Sequence, residues 1–413
     1  MRSQSIANPF RPGAGHMPPY LAGRRDELKE FDRLLDQDVV LKNLVLTGLR
    51  GIGKTVLLET FKPKAIQKGW LWAGTDLSES TSISESNLAI RLLTDLSVVT
   101  SSIIVSVSER PGTGFGSHST TVPTSLNYQA LAAIYDRTSG LVADKLKGVL
   151  ESVWPHIQGG GKQGIVFAYD EAQNLADHSA KEQFPLSLLL DVFQSVQRKG
   201  IRFMLALTGL PTLFPKLVEA RTYSERMFHV IFLKPLSEQA TREAVCKPIQ
   251  EEAKCPIGFN DESLTTVWQQ TRGYPYFIQY VCREIFDIWV QALNADQPPP
   301  SVPVDEITLK LDTNFFAGRW AKATDRQQQL LWIVSLLPNC EEEFTVHEVI
   351  ASEGNKTIPK PFTSSHVNQM LVSLAEAGLV YRNRHGKYSF AVPLLAGFIL
   401  RQTGRNSDSP LFQ

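Results

Sequence analysis

The 413-residue sequence predicts an α/β domain with a parallel sheet, followed by a helical segment and a small domain of three helices and a hairpin. Three observations support this fold class. Between Tyr20 and Pro235, short β-type apolar runs alternate with amphipathic helical stretches, as in parallel α/β sheets. A glycine-rich turn follows the first of these runs. Near the end of the chain, three helical stretches precede two β-rich arms around a His-Gly turn, which is a hairpin signal.

Composition excludes several classes of protein. Lys plus Arg and Asp plus Glu both number 42, so any affinity for nucleic acid or an anionic membrane must come from a local patch. Four widely spaced cysteines match neither a zinc framework nor a disulfide scaffold. The longest apolar run, Phe390–Leu400, is too short to cross a bilayer, and the first twenty residues lack an apolar core of signal-peptide length. We therefore expect a soluble cytoplasmic protein without membrane contact.

Four segments follow from local composition. Residues 1–19 are rich in Pro and Gly and predict an extended arm, and residues 20–235 form the α/β domain. Within that domain, residues 109–127 are rich in Gly, Ser, Thr and Pro and predict a mobile loop. Residues 236–300 are helical and end in a proline-rich linker, and residues 301–413 have the element order of a winged-helix domain. Strands are expected at Leu44–Thr47, Trp70–Thr75, Gly164–Tyr169, Ile201–Thr208 and His229–Leu233.

The glycine-rich turn has the pattern of a phosphate-binding P-loop. It satisfies G-x-x-x-x-G-K-[ST] between an apolar strand and a helix, which is the context that the motif requires. Its glycines let backbone N–H groups turn toward a phosphate chain at the positive end of the helix. Lys54 would reach the β- and γ-phosphates and Thr55 would hold Mg²⁺. The residues expected around the phosphates are Gly48, Arg50, Gly51, Ile52, Gly53, Lys54, Thr55 and Val56.

An acidic pair follows a second buried strand. Asp170 and Glu171 come directly after the apolar run Gly164–Tyr169. Asp170 would orient Mg²⁺, and Glu171 would act as the base that polarises the attacking water in nucleotide hydrolysis. The alternative is that the two carboxylates merely cap the next helix.

A repeated tetrapeptide suggests a further site residue. "LTGL" occurs at Leu46–Leu49 and again at Leu207–Leu210. If the two strands are neighbours, both turns end at the same sheet edge, and Thr208 would lie near the γ-phosphate. The alternative is an ordinary β-branched strand residue.

These motifs together resemble one known group of proteins. "YLAGRRDELKEFDRLL", "YDEAQNL", "LTGLPTLF", "YSERMFHVIFLKPLS" and "RGYPYFIQYV" occur in this order. The chain is similar to AAA+ ATPases at the border between archaeal origin-recognition initiators and STAND ATPases, over about residues 19–290. This resemblance implies a P-loop NTPase sheet of the ASCE class in the order 5-1-4-3-2, a helical lid and a C-terminal winged helix. It also implies ATP rather than GTP as the nucleotide, and slow hydrolysis to ADP and phosphate.

The resemblance assigns further roles to single residues. Tyr20 and Leu21 would line the adenine pocket, and Thr208 matches the polar sensor of the γ-phosphate. Arg226 matches the region of an arginine finger, which acts across a subunit boundary and so implies self-association. The alternative for Arg226 is a surface ion pair, and Arg221 is its rival.

One departure from the initiators concerns the lid. They usually carry an arginine at the start of a lid helix, whereas this chain has Gly273-Tyr274-Pro275, similar to the G-x-P signature of STAND switches. Pro275 would then abut the nucleotide and couple it to domain closure. This favours a slow switch over a continuously cycling motor.

The hairpin of the winged helix carries a local basic patch. Arg382, Arg384 and Lys387, with His385 at the tip, suit contact with phosphates of double-stranded DNA. A solvated hairpin, or a winged helix that contacts protein, explains the same charges. Glu341, Glu342 and Glu343 would oppose DNA binding if they face the same way.

Three functions remain open at this point. The first is a regulatory ATPase whose nucleotide state controls assembly and the position of the winged helix. The second is an ATP-dependent DNA-binding regulator of the initiator, partition or transposition type. The third is a nucleotide-bound adaptor that recruits a separate effector protein.

Overall fold

The computed structural model describes residues 6–13, 15–110, 120–251, 255–384 and 386–405. The chain divides into two compact units. The sheet unit consists of Arg25–Thr47 and Leu57–Phe232. The lid unit consists of the residues up to Arg24, Gly48–Val56 and the residues from Leu233 onward.

A five-stranded parallel sheet and a separate two-stranded hairpin form the strands of the sheet unit. The strands are β1 (Asn43–Thr47), β2 (Trp70–Ala73), β3 (Ile104–Arg110), β4 (Thr120–Ser125), β5 (Gly164–Tyr169), β6 (Phe203–Gly209) and β7 (Phe228–Phe232). The parallel sheet has the order β2-β5-β6-β1-β7. Numbered by appearance among these five strands and read from the β7 side, this is 5-1-4-3-2, so the order that the resemblance implies is confirmed.

The burial of the strands explains why they were recognisable in the sequence. β1, β5 and β6 are the three inner strands, and every residue in them is buried. Strands covered on both faces read as continuous apolar runs instead of alternating ones. The outer strands β2 and β7 are buried only in part.

Helices pack against this sheet. Those from α1 to α8 are α1 (Arg25–Leu35), α2 (Lys54–Gln67), α3 (Glu85–Thr100), α4 (Tyr128–Arg137), α5 (Val142–Gly159), α6 (Pro185–Arg198), α7 (Leu213–Ala220) and α8 (Ser224–Met227). α6 begins with Pro185, whose ring suits the first helical turn. Phe193 of α6 packs edge-on against Phe167 of β5 with ring centroids 5.0 Å apart. Burial of this apolar helix face fixes α6 on the sheet.

The segment predicted as a mobile loop, residues 109–127, contains part of a hairpin. β4 pairs antiparallel with β3 over Ile104–Arg110 and Thr120–Ser125. The β-branched residues Thr120, Thr121 and Val122 favour an extended strand. Residues 111–119 lie outside the described residues.

The lid helices and the N-terminal arm share a core in the lid unit. The helices are α9 (Glu238–Glu251), α10 (Asp261–Thr271) and α11 (Pro275–Asn294). Phe10 of the arm is fully buried, with ring centroids 6.1 Å from Phe259 and 6.2 Å from Phe286. Phe10 thus anchors the described part of this segment to the lid unit.

The C-terminal part of the lid unit combines helices with a small sheet. Its helices are α12 (Val304–Leu311), α13 (Ala317–Trp320), α14 (Asp325–Ser335), α15 (Val346–Ala351), α16 (Glu353–Thr357), α17 (Ser364–Glu376) and α18 (Leu395–Arg405), with a π-helical turn at Asp312–Phe316. Strands β8 (Phe344–Thr345), β9 (Val380–Arg384) and β10 (Lys387–Phe390) form an antiparallel sheet in the order β8-β10-β9. The predicted hairpin is β9 and β10. Across the described ranges, no helix is long and apolar enough to cross a membrane.

Candidate phosphate-binding site

The P-loop has the backbone conformation that a phosphate cradle needs. β1 ends at Thr47, Gly48 follows it directly, and α2 begins at Lys54. Gly51 and Gly53 have φ of 76° and 93°, in the region that favours glycine. Backbone N–H groups in such a turn, at the start of a helix, form an anion-binding concavity.

The Lys54 ammonium lies inside the loop and donates hydrogen bonds to its backbone. Its side chain is buried, and its Nζ donates to the carbonyl oxygens of Gly48 at 2.9 Å and Leu49 at 3.1 Å. Thr55 and Val56 follow in the first turn of α2. A buried ammonium, two left-handed glycines and a helix start fit a polyphosphate group.

Arg24 fixes the loop to the start of the lid. This buried guanidinium donates to the carbonyl oxygens of Ile52 at 3.1 Å and Lys234 at 3.0 Å. The preceding residue must be glycine, because Gly23 has φ of 63° and an added Cβ would lie 2.7 Å from Ala240 Cβ. Tyr20 is half-buried and packs against the apolar cluster of the lid helices, and Leu21 beside it is also half-buried.

The first turn of α11 touches the P-loop. Pro275 is its first residue, and Tyr276 N donates to the carbonyl oxygen of Gly51 at 3.1 Å. A Cβ added to Gly51 would lie 3.0 Å from Tyr276 Cβ, so the lid packs tightly on the loop. The residue that makes this contact is Tyr276, next to the Pro275 that the sequence singled out.

The C-terminal part also reaches the P-loop. Arg50 is exposed, and its Nη2 would lie 3.5 Å from a Cβ added to Gly378. Burial lowers the pKa of Arg319, and the positive charge of Arg50 lowers it further. No ion pair joins either arginine to a carboxylate within the described ranges. The positive charges of Arg50 and Arg319 therefore disfavour each other, and an anion bound near Arg50 would relieve this repulsion.

On the sheet unit, Asp170 and Thr208 come together. β5 and β6 are neighbours, with Ala168 opposite Ala206. Both side chains are buried, and the Thr208 hydroxyl donates to Asp170 Oδ1, which also accepts from Glu171 N at 2.8 Å. β6 also pairs with β1, where Thr47 lies opposite Gly209. The three strand ends therefore share one edge, and the chain continues from β1 into the P-loop.

Glu171, which follows Asp170 after the end of β5, has an unusual backbone conformation. Its φ of 50° is left-handed, which is uncommon for a residue other than glycine, and its side chain is exposed. Its carboxylate accepts a hydrogen bond from Gln173 Nε2. Asp76 forms a parallel bridge with Asp170 through the backbone. Partial burial raises the pKa of Asp76, as do the negative charges of Asp170 and Glu171.

Three residues near the predicted ones were not predicted from the sequence, namely Gln173, Asp76 and Arg319. Gln173 lies two residues after Glu171 within the quoted "YDEAQNL" motif, so its proximity could have been noticed. Asp76 follows a β2 strand that neighbours β5, and only the sheet order brings it to Asp170. Nothing near Arg319 in the sequence signals the P-loop.

The two candidate finger arginines have different surroundings. Arg221 donates from Nε and Nη2 to the two carboxylate oxygens of Asp191, at 2.9 and 2.6 Å. Arg226 lies exposed in the short helix α8, and no ion pair holds it among the residues that the structure describes. Of the two, only Arg226 has no carboxylate partner among the described residues.

The basic hairpin is described only in part. Arg382 is exposed on β9, and Lys387 begins β10 and is half-buried. The side chain of Arg384 and all of residue 385 lie outside the described residues. Asn383 donates to the carboxylate of Glu343, and Arg272 forms an ion pair with Glu341. Two of the three opposing carboxylates therefore have partners within the protein.

Comparisons with known proteins agree with this architecture. The ORC2 protein of Aeropyrum pernix in its ADP form is 13% identical, with a TM-score of 0.50 over 95% of this chain and 97% of that chain. The chain has the fold of an origin-recognition-type AAA+ ATPase. Two further structures are similar over 95% of this chain, at TM-scores of 0.45 and 0.46. They are the Aeropyrum pernix ORC1 protein in complex with DNA, at 14% identity and 96% of that chain, and Cdc6p from Pyrobaculum aerophilum, at 15% identity and 97% of that chain.

Sequence comparisons add one match. A family described as "Domain of unknown function (DUF8462)" matches residues 313–399, which include the small sheet β8-β10-β9. No curated protein sequence matches the chain. The origin-recognition-type fold thus rests on the three-dimensional similarity.

Proposed function

We propose that this protein is an Mg²⁺-dependent regulatory ATPase whose nucleotide state controls its assembly and the position of its C-terminal part. One observation carries the proposal. The P-loop residue Gly51 contacts Tyr276 in the first turn of the lid helix α11, and Arg50 lies close to the C-terminal part, where its Nη2 would be 3.5 Å from a Cβ added to Gly378. A phosphate chain in the loop would change the surroundings of both contacts, and differential contact is what shifts a conformational equilibrium.

ATP is the proposed nucleotide. The P-loop geometry supports a polyphosphate, and the origin-recognition-type fold includes a protein described in its ADP form. Tyr20 and Leu21 lie in the segment that leads to Arg24, which donates a hydrogen bond to the P-loop carbonyl of Ile52. We assign the adenine pocket to these two residues and the lid.

The proposed reaction uses residues of the P-loop and residues at the ends of β5 and β6. Lys54 binds the β- and γ-phosphates, and Glu171 accepts a proton from the attacking water. Thr55 and Asp170 would hold Mg²⁺, which neutralises phosphate charge when bound. Thr208 would sense the γ-phosphate, and its hydrogen bond to Asp170 supports this role.

Self-association would complete the site. Arg226 is exposed and lacks an ion-pair partner in the described chain, which supports a role as a finger acting on the nucleotide of a second copy. Hydrolysis would then be slow in the monomer and faster in the assembled form. The C-terminal part, which we assign as a winged helix, would change its contacts as ATP replaces ADP.

The test compares wild type with Glu171→Gln and Lys54→Ala in ATP hydrolysis and in size-exclusion light scattering with ADP or a non-hydrolysable ATP analogue. We expect Glu171→Gln to bind nucleotide and assemble normally but to lose hydrolysis by at least about 100-fold. Lys54→Ala should fail to bind nucleotide and to assemble. Hydrolysis at the wild-type rate by Glu171→Gln would overturn the mechanism. An unchanging mass would remove assembly from the proposal, and bound ATP without turnover in wild type would favour the adaptor function.

Double-stranded DNA binding is the second candidate function. The observation in its favour is that Arg382 on β9 is exposed, while the carboxylates of Glu341 and Glu343 already have partners within the protein. The backbone of DNA is bound mainly by such cations, with a strong dependence on salt. The DNA would then enhance ATP-dependent assembly.

A further inference from the structure

The side-chain amide of Gln173 connects two strand ends. Its Nε2 donates to the carboxylate of Glu171, which lies two residues beyond the end of β5. Its Oε1 accepts a hydrogen bond of 3.1 Å from the backbone N–H of Leu210, which directly follows β6. One amide group thus links the proposed base to the turn after Thr208 and Gly209.

Gln173 is itself held firmly. It lies in the 3₁₀ turn Ala172–Asn174. Its backbone carbonyl oxygen accepts a hydrogen bond of 2.7 Å from Lys216 Nζ of α7. The side chain also approaches the end of β6 closely, since a Cβ added to Gly209 would lie 2.6 Å from Gln173 Oε1. A glycine at this position therefore lets the amide approach the backbone. The donor that reaches Glu171 has little freedom to move.

Glu171, by contrast, needs a hydrogen-bond partner that fixes the orientation of its carboxylate. Its side chain is exposed, and its left-handed backbone places it at a turn and not within a strand. A carboxylate that polarises water must be held close to the productive orientation, because small misplacements cost large factors in rate. Among the described side chains, Gln173 is the one whose hydrogen bond to this carboxylate is seen.

We propose that Gln173 is a positioning residue that orients the Glu171 carboxylate by tying it to the backbone N–H of Leu210. The inference rests on the proposed function, in which Glu171 is the base. It adds a physical connection: the turn after Thr208 and the orientation of the base move together. A change at the end of β6 would thus alter the rate of hydrolysis without altering how tightly nucleotide binds.

Two substitutions separate this role from simple support of the turn. Gln173→Glu keeps an acceptor for Leu210 N–H but replaces the donor to Glu171 with a second carboxylate. Gln173→Met keeps the length of the side chain and removes both hydrogen bonds. If Gln173 only stabilised the turn after β6 by accepting from Leu210 N–H, Gln173→Glu would hydrolyse ATP at the wild-type rate. Gln183→Met is a matched control, because Gln183 is also half-buried and accepts from a backbone N–H, that of Glu85, at 3.0 Å.

The experiment measures kcat and KM for ATP, and the Kd of a non-hydrolysable ATP analogue, for each variant in the wild-type and Glu171→Gln backgrounds. We expect kcat to fall about 10- to 100-fold for both Gln173 variants, with KM and Kd within about twofold. In the Glu171→Gln background, neither Gln173 variant should lower the residual single-turnover rate further. Gln183→Met should match wild type throughout.

Several outcomes would overturn the inference. They are a wild-type or raised kcat in Gln173→Glu, a loss confined to KM, or an additive loss in the Glu171→Gln background. If Gln173→Met unfolds, Gln173→Glu alone decides. Failure of the proposed function has a different signature, because Glu171→Gln alone would then keep the wild-type rate, whatever the Gln173 variants do.

Discussion

The hydroxyl of Thr208 donates a hydrogen bond to the carboxylate of Asp170, across the neighbouring strands β6 and β5. Both side chains are buried, so neither water nor a distant side chain can readily take over this contact. A residue that the sequence placed near the γ-phosphate thus contacts the proposed Mg²⁺ ligand directly.

Replacing Thr208 with valine removes this hydrogen bond and keeps the shape of the side chain. We expect kcat for ATP to fall about 10-fold, because a buried carboxylate loses one donor, worth about 1–2 kcal/mol. The Kd of ADP should stay within about threefold. Steady-state kinetics and calorimetric titration would measure both.

The control for this prediction is Thr208→Ser, which keeps the hydroxyl. It should retain most of the wild-type rate. Equal losses in the serine and valine variants would show that packing, and not the hydrogen bond, is responsible.

Alanine variants of Arg221 and Arg226 should affect different properties: the first should lower the stability of the fold, and the second should lower ATP hydrolysis. Arg221→Ala breaks the two-pronged contact with Asp191, whose side chain is about one third exposed, so we expect a loss of about 1 kcal/mol in the free energy of unfolding. Arg226→Ala should leave that free energy unchanged and lower hydrolysis about 10³-fold in the assembled form only. Urea unfolding and hydrolysis at several protein concentrations would check this. Normal hydrolysis by Arg226→Ala would remove the finger from the account.

The Asp191 contact also predicts a pH dependence. Burial raises the pKa of Asp191, but the hydrogen bonds from Arg221 and Tyr223 outweigh this and hold the pKa below its ordinary value of 3.8. A carboxylate with a lowered pKa stabilises the fold above its unfolded value and loses that contribution as the pH falls through its folded value. The stability difference between wild type and Asp191→Asn should therefore stay constant from about pH 7 to pH 5 and narrow below pH 3.8. A difference that narrows already near neutral pH would contradict this assignment.

The basic hairpin predicts a specific effect on DNA binding. Arg382→Ala combined with Lys387→Ala should weaken binding to duplex DNA and lower the slope of log affinity against log salt by about one per cation removed. Fluorescence anisotropy at several salt concentrations would measure the slope. Lys181→Ala, an exposed cation in the sheet unit, is the control. An unchanged slope in the double variant would argue that the hairpin does not contact DNA.

Much of the fold could be predicted because the central strands are buried on both faces. Leu44–Thr47 and Gly164–Tyr169 were recognised within one residue at each end, since continuous burial produces continuous apolar sequence. The hairpin β3–β4 was missed because its second strand, Thr120–Ser125, has the polar composition of a loop. Strand pairing there depends on the neighbouring strand β3 as well as on local sequence.

The site could be predicted only where its residues are adjacent in the sequence. Gly53, Lys54 and Thr55 are adjacent in the sequence, so the motif reveals them. The contact of Gln173 with Leu210 joins residues 37 positions apart and requires the order of β5 and β6. The contact of Tyr276 with Gly51 depends on the packing of the lid, which no local pattern encodes.

The most direct test of the central claim is hydrogen exchange of the whole chain without nucleotide, with ADP, and with a non-hydrolysable ATP analogue. The Tyr276 amide donates to the P-loop carbonyl of Gly51, so its exchange reports on that contact. We expect the analogue to alter hydrogen exchange in residues 272–280 and 376–384 relative to ADP, and we expect Lys54→Ala to abolish both responses. Protection confined to residues 48–56, with both other segments unchanged, would contradict nucleotide control of the C-terminal part.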